Sequence, residues 1–330
     1  MWLLRAFQNR RTLLKFFIYY YPKRELLCLP AGFISFLISA VLHNSKKIIT
    51  IIDGGLGSQM GQYAAGQIIE KKTGIPVYHD ITWFEKCGTD CSGLVSRNYI
   101  LEKTFPLVKV KKASTGEILF YKIFLNTFYN KNDYCFTLSL EQIIEQISTS
   151  KESCYLGQYY QVSSPGFVKE LRENVRKQFI FDTTGFSEIT MQMAEVIKTT
   201  PCPIALFVRR GDFITLGWDK ATPPEYFYKA IREIENRILE YSSNKWTFFV
   251  FSDDIPYCKE LFSSCDENFV FVNILDEEGM YLGSLCRHFI LSAKSGFGLW
   301  SAFLSSVDSN KIVMQPKEPP FSDLPEKITV

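Results

Sequence analysis

Apolar positions along this chain recur with two periods, one suited to strands and one to helices. Ile48, Ile49, Ile51 and Ile52 form a short β-branched run, the signature of a buried strand. Met60, Ala64 and Ile68 then repeat at helical spacing, and Gly74 stands where that helix should end. Val77 to Asp80 predicts a second strand, and Phe167, Leu171 and Val175 mark another helical face. The alternation resumes at Ile204 to Val208, a strand, followed by a helix opened by Pro223-Pro224 with Ala230, Ile231, Ile234 and Ile238 facing inward. Phe248 to Phe251, Phe269 to Val272, Phe289 to Leu291 and Ile312 to Met314 are further apolar runs separated by helical stretches. Alternating strands and helices predict parallel, doubly wound α/β sheets. Two such halves predict two Rossmann-like domains, at residues 46–200 and 201–330, divided near Lys198 to Pro203. Ligands in such folds bind beyond the carboxyl ends of the strands, so the loops there are the places to look for chemistry.

The first 45 residues have a different character. Arg5, Arg10, Arg11 and Lys15 are scattered among Leu, Phe, Ile and Tyr, and Leu26 to Leu42 runs 17 residues without a charge. That is the short limit for crossing a bilayer, and Pro30 interrupts it. The late start and the lack of a small-residue cleavage site argue against a signal peptide. A spanning helix would place the rest of the chain opposite the basic segment. A helical extension lying in the plane of the membrane fits better; an accessory helix packed on the globular part is the alternative.

Composition removes several function classes. Apolar residues make up 46% and aromatics 15% of the 330 residues, enough for a sizeable core. Thirty-seven basic residues against thirty-five acidic ones leave almost no net field, which opposes a nucleic-acid partner. The three histidines, His43, His79 and His288, are too dispersed for a metal motif or a Ser-His-Asp triad. Nine cysteines, an odd number with Cys87 and Cys91 the closest pair, together with the absence of any Asn-x-Ser/Thr sequon, point to a reducing, cytoplasmic location.

Four loops after predicted strands carry unusual residues. Asp53 to Gly61 holds Gly54, Gly55 and Gly57, and glycines between a strand and a helix let backbone N–H groups approach an anion. A dinucleotide fingerprint would require a small residue where Met60 stands, although Asp80 lies where a ribose-binding acid belongs. A tight structural turn is the other reading. Arg209, Arg210 and Asp212 end another strand, and adjacent guanidiniums repel unless an anion or a carboxylate meets them. Ser252, Asp253 and Asp254 could accept from nucleoside hydroxyls or cap the helix that Ile255-Pro256 begins. Ser292 to Trp300, with Ser295, Gly296 and Phe297, forms either a second anion site or a well-capped helix start.

Taken in order, these segments resemble the α-1,2-fucosyltransferases of glycosyltransferase family 11. Gly54 to Ala64 resembles that family's GGLGNQM block, Tyr155 to Gln161 its GYFQ segment, and Phe207 to Asp212 its HxRRxD block. Phe249 to Ile255 is similar to the FSDD block and Gly296 to Leu304 to the TFGxWAAYL block. Phe207 replaces the family's histidine, and Ser58 replaces its asparagine.

The resemblance implies a GT-B fold and metal-independent, inverting transfer of L-fucose from GDP-β-L-fucose, with no cofactor. Arg209, supported by Asp212, would neutralise the diphosphate leaving group. Gly55, Gly57, Ser58, Gln59, Arg210, Ser252, Asp253, Asp254, Ser295, Gly296 and Phe297 would bind the donor. The implied acceptor is the 2-hydroxyl of a galactose-terminated oligosaccharide or lipid-linked glycan, in bacterial O-antigen or capsule synthesis at the inner face of the membrane. A GDP-sugar transferase of different donor or linkage is one alternative. A catalytically silent, membrane-attached glycan-binding or assembly protein is the other.

Deleting residues 1–45 should release the protein from membranes and leave it folded. Full-length protein that fractionates as soluble without detergent overturns the attachment.

Overall fold

The computed structural model describes residues 46–86, 88–89, 95–124, 126–127, 140–150, 153–157, 169–239, 245–274, 276–306, 310–317 and 327–329. The expected N-terminal extension, Cys87, Cys91, Phe167 and residues 158–161 of the GYFQ-like segment lie outside these. Among the described residues no helix is long and apolar enough to cross a membrane.

The elements alternate as expected. The first part comprises β1 (Ile48–Ile51), α1 (Leu56–Thr73), β2 (Val77–Asp80), α2 (Thr82–Lys86), α3 (Leu101–Thr104), α4 (Thr115–Phe124), β3 (Asn126–Thr127), α5 (Leu140–Ser150) and β4 (Cys154–Gly157). The second comprises α6 (Glu188–Thr199), β5 (Pro203–Val208), α7 (Gly211–Leu216), α8 (Pro224–Leu239), β6 (Thr247–Ser252), α9 (Ile255–Leu261) and β7 (Phe269–Val272). It continues with α10 (Asp276–Ser284), β8 (His288–Ile290), α11 (Gly296–Leu304), β9 (Val313–Gln315) and β10 (Lys327–Thr329). Gly74 ends α1 with φ of 69° and an N–H donated to the Glu70 carbonyl at 2.9 Å, a left-handed stop that glycine adopts without strain. Leu171–Val175 is one turn of π-helix, continued as 3-10 helix over Arg176–Gln178, in place of a regular α-helical face.

The strands form two parallel sheets, a four-stranded one ordered β2-β1-β4-β3 and a six-stranded one ordered β10-β9-β8-β5-β6-β7. Numbered from β5, the second sheet reads 3-2-1-4-5-6, the order of a dinucleotide-binding Rossmann domain. Its strand direction of travel reverses between β5 and β8. The loops after those two strands therefore open onto the crevice where such sheets bind ligands.

The chain folds into two compact units that interleave in sequence. The first takes the described residues up to Asp53, Gln59–Gly88 and those from Lys109 to 157. The second takes Gly54–Ser58, Thr89–Val108 and the described residues from 169 onward. Residues 54–58, 89–108 and 169–200 thus cluster with the C-terminal half, ahead of the boundary expected near Lys198 to Pro203.

In the first unit, β2 ends in a buried acid. Asp80 accepts from the Thr82 amide and hydroxyl at 2.9 and 2.6 Å, from Lys122 Nζ at 3.0 Å and from the Tyr155 hydroxyl at 2.8 Å. Burial alone would raise its pKa, but the Lys122 charge and the Thr82 donors outweigh it and hold the carboxyl below its usual value. In the second unit, strand alternation splits β5 between two faces. Ile204, Leu206 and Val208 pack against Phe227, Ala230, Ile231, Ile234 and Ile238 of α8. Each of the Ile, Leu, Val and Phe side chains among them contributes about 1.5–3 kcal/mol on burial. Phe207 points to the other face, stacked on Phe251 of β6 at 5.1 Å.

Buried His288 on β8 accepts a 3.1 Å hydrogen bond at Nδ1 from the Ile312 amide. Burial, with the Arg287 charge adding to it, lowers its pKa to about 4, so the folded protein holds a neutral ring. The unfolded chain takes up that proton below about 6.5. The stabilisation is therefore complete above pH 6.5 and is lost as pH falls toward 4. Urea unfolding should show stability about 2 kcal/mol lower at pH 5 than at pH 7 from this residue. His288→Gln should flatten that part of the slope, and an unchanged slope refutes the assignment.

Candidate functional site

The loops after β5 and β8 are joined by one hydroxyl. Ser292, buried beyond β8, donates to the Phe207 carbonyl at 2.7 Å and accepts from the Arg209 amide at 3.0 Å. This bond fixes where β5 stops and the arginine pair begins. A second tie runs from the Ala293 amide to the Thr222 hydroxyl at 2.9 Å.

Both arginines are held by carboxylates. Arg209 donates through Nη1 to Asp253 Oδ2 and through Nη2 to Asp212 Oδ1, the latter at 2.5 Å. Each terminal nitrogen of a guanidinium carries two protons, so both ends keep a donor for a ligand. Arg209 also lies 5.4 Å from the Phe213 ring centroid. Arg210 donates Nε to Asp254 Oδ2 at 3.1 Å and its backbone N–H to Asp253 Oδ1 at 2.9 Å, and its guanidinium stacks over Tyr257 at 3.6 Å. Glycine is required at position 211, directly after them, because a Cβ there would lie 2.5 Å from Asp253 Oδ2.

The acids expected to face a nucleoside are thereby assigned work within the protein. Asp253 clamps Arg209. Asp254 caps α9 by accepting from the Tyr257 amide at 3.2 Å, so the capping reading of this loop is the one the geometry carries for it. The Ser252 hydroxyl accepts from the Asp254 amide at 3.0 Å.

The start of α11 is arranged differently. Ser295 sits at its N-cap and makes no side-chain capping bond there, so the first-turn amides are not taken by that hydroxyl. Lys294 precedes it in the left-handed region at φ of 56°, with its ammonium 5.6 Å from the Trp218 ring. A non-glycine residue held there is strained by roughly 1–3 kcal/mol, a cost that clusters at ligand sites. Gly57 packs against this helix start, since a Cβ on it would lie 3.1 Å from the Gly296 carbonyl carbon and 3.2 Å from the Trp300 ring. Gly55, Gly57 and Ser58 thus share a unit with Arg209, Asp212, Ser295 and Gly296, whereas Gln59 is fully buried in the first unit.

Sequence reasoning missed one cation here. Arg97 Nη2 lies 3.6 Å from Asp212 Oδ2, and a Cβ on Gly55 would lie 3.8 Å from its guanidinium carbon. No strand or glycine motif flags Arg97 in the linear sequence. The Phe297 ring packs edge-on against Phe207 at 5.8 Å. A charge cluster flanked by a helix N-terminus at a sheet's switch point can bind a diphosphate.

Comparison with known proteins agrees with the family resemblance. The sequence model of Glycosyl transferase family 11 matches residues 94–327, well over half of the chain. An alpha-1,2-colitosyltransferase of Escherichia coli is 26% identical over 279 residues, covering 79% of this chain and 88% of that protein. The O-antigen biosynthesis glycosyltransferase WbnK of Escherichia coli is 24% identical over 300 residues, covering 81% and 93%. In fold, the chain is similar to a mutant of FUT1 from Arabidopsis thaliana solved with GDP, with a TM-score of 0.50 at 14% identity, covering 94% of this chain and 78% of that one.

Phe207 supports the arginine loop from below. It is buried between Phe251, Phe297 and two glycines, whose Cβ atoms, if present, would lie 2.8 Å (Gly283) and 3.0 Å (Gly298) from its ring. Phe207→Ala should cost roughly 3 kcal/mol or more in denaturant unfolding. Unchanged unfolding of that variant refutes the packing role.

Proposed function

The chain belongs to glycosyl transferase family 11, and from that premise we propose that it transfers L-fucose from GDP-β-L-fucose to the 2-hydroxyl of a terminal β-galactoside. The observation that carries this reading is Arg209, clamped by Asp212 and Asp253, with its amide tied to Ser292 in the loop that leads into α11. Cleavage of the sugar–phosphate bond moves negative charge onto the diphosphate and positive charge onto the sugar. Donors fixed in advance around the departing phosphates stabilise that state more than the ground state. Arg209 supplies the fork, the amides of Gly296 and Phe297 supply the helix end, and the transfer proceeds with inversion, without a metal or other cofactor.

Two parallel α/β sheets, one in each unit, support a GT-B-type fold, with the donor held by the unit that contains residues 54–58, 89–108 and the described residues from 169 onward. The acceptor is a galactose-terminated or lipid-linked glycan of a bacterial surface polysaccharide, and WbnK's name supports that setting. The basic, apolar segment 1–45 supports attachment at the cytoplasmic face of the membrane.

A second donor is favoured by the colitosyltransferase relative. Colitose is L-fucose without its 3-hydroxyl, so the same diphosphate machinery serves either sugar. Assays with GDP-fucose and GDP-colitose on lactose-type acceptors decide between them by product. No turnover with either donor favours a silent binding protein.

Arg209→Lys keeps the charge and loses the planar fork. It also avoids leaving Asp212 and Asp253 without a cation. We expect turnover with GDP-fucose to fall by about 10²–10³, the usual cost of one preorganised donor, with acceptor affinity little changed. A folded Arg209→Lys enzyme turning over near the wild-type rate sinks this reading.

A further inference from the structure

We propose that Arg97 is a second diphosphate-binding guanidinium, delivered to the donor site from a segment far from the Arg209-Arg210 pair; this rests on the nucleotide-sugar reading above. Asp212 is the geometric reason. It divides its oxygens between two cations, with Oδ1 2.5 Å from Arg209 Nη2 and Oδ2 3.6 Å from Arg97 Nη2. Guanidiniums meet carboxylate and phosphate oxygens through the same charge-assisted N–H···O bonds, so two that converge on one carboxylate can converge on one diphosphate. The Arg97 contact is the longer of the two and exceeds hydrogen-bonding distance.

Backbone geometry aims Arg97 at the same spot. Gly55 lies under its guanidinium, with a would-be Cβ 3.8–3.9 Å from three of its atoms. Two residues on, Gly57 packs on Gly296, the first residue of α11. The same glycine turn therefore touches both Arg97 and the first residue of α11.

Charge balance makes the residue necessary. Asp212, Asp253 and Asp254 bring three negative charges within ion-pair range of Arg209 and Arg210. Two cations against three acids would repel a diphosphate. Arg97 brings the cluster to neutrality, three against three, and Lys294 adds a further positive charge at the head of α11.

The test compares GDP with GMP, which differ by the β-phosphate, in calorimetric titrations of the full-length protein. Wild type should bind GDP more tightly than GMP. Arg97→Ala should weaken GDP at least about tenfold, the loss of one hydrogen bond to a charged group, and leave GMP nearly unchanged. It should raise KM for GDP-fucose more than it lowers kcat. Arg97→Lys should recover part of the discrimination, and Lys103→Ala, an exposed cation of the same segment, should lose none. A merely structural Arg97 would weaken both nucleotides alike. If Arg97→Ala is folded and keeps the wild-type ratio of GDP to GMP affinity, the proposal is overturned. Should that variant not fold, Arg97→Lys and Arg97→Gln read the same ratio, and wild-type discrimination in both overturns it equally. A wild type that binds neither nucleotide defeats the nucleotide-sugar reading itself, independently of Arg97.

Discussion

Two acids from different loops hold the guanidinium of Arg209, Asp212 from the start of α7 and Asp253 from the end of β6. A long, mobile side chain becomes a fixed donor only when its rotamer freedom is removed, and for arginine that freedom amounts to about 2 kcal/mol. The protein removes it before any ligand arrives. Much of the local architecture follows from this constraint. Gly211 has no side chain because Asp253 occupies its place. Asp253 uses its second oxygen on the Arg210 amide, so one carboxylate sets both the side chain of Arg209 and the backbone of the next residue. Ser292 then pins the Arg209 amide to the end of β8.

Beneath this polar layer the sheet supplies rigidity. Phe207 and Phe251 are partners across adjacent parallel strands and stack on the face away from α8. α10 and α11 come close to that face because Gly283 and Gly298 carry no side chains where Phe207 projects. A histidine at position 207 would offer a polar ring in the same slot. Phenylalanine fills it with apolar contact, so this chain holds its arginine loop by packing and by Ser292 rather than by an imidazole.

The second sheet was largely legible because its strands are runs of Phe, Val and Ile bounded by polar loops. Phe269 to Val272 matches β7 residue for residue, and Pro224 opens α8 as expected. β8 and β9 shift by one residue, since the ends of buried strands carry little pattern of their own. Cys154–Gly157 is a central strand of the first sheet, but its four residues show no alternation to read. The candidate site was legible as a set of loops and illegible as a set of bonds. Asp253 and Asp254 are adjacent and chemically identical, yet one clamps Arg209 and the other caps α9. Only the path of β6 into α9 separates those roles. Arg97 was beyond linear reading for another reason. Its segment, and the glycine turn of residues 54–58 that the sequence did flag, join the second unit through folding, with long stretches of the first unit between them and the rest of it.

A cluster balanced between guanidiniums and carboxylates also suits the turnover that the proposed reaction demands. GDP carries more negative charge after transfer than the same diphosphate carried when esterified to the sugar. A site built of cations alone would hold that product most tightly of all, and tight uniform binding adds nothing to kcat. Three acids interleaved with Arg97, Arg209 and Arg210 limit the long-range attraction while leaving short, directed hydrogen bonds in place. Stabilisation then depends on alignment with the departing phosphate oxygens more than on net charge. Selectivity for the transition state follows from that dependence, because alignment improves as the bond breaks, whereas a diffuse positive field would act on substrate and product alike.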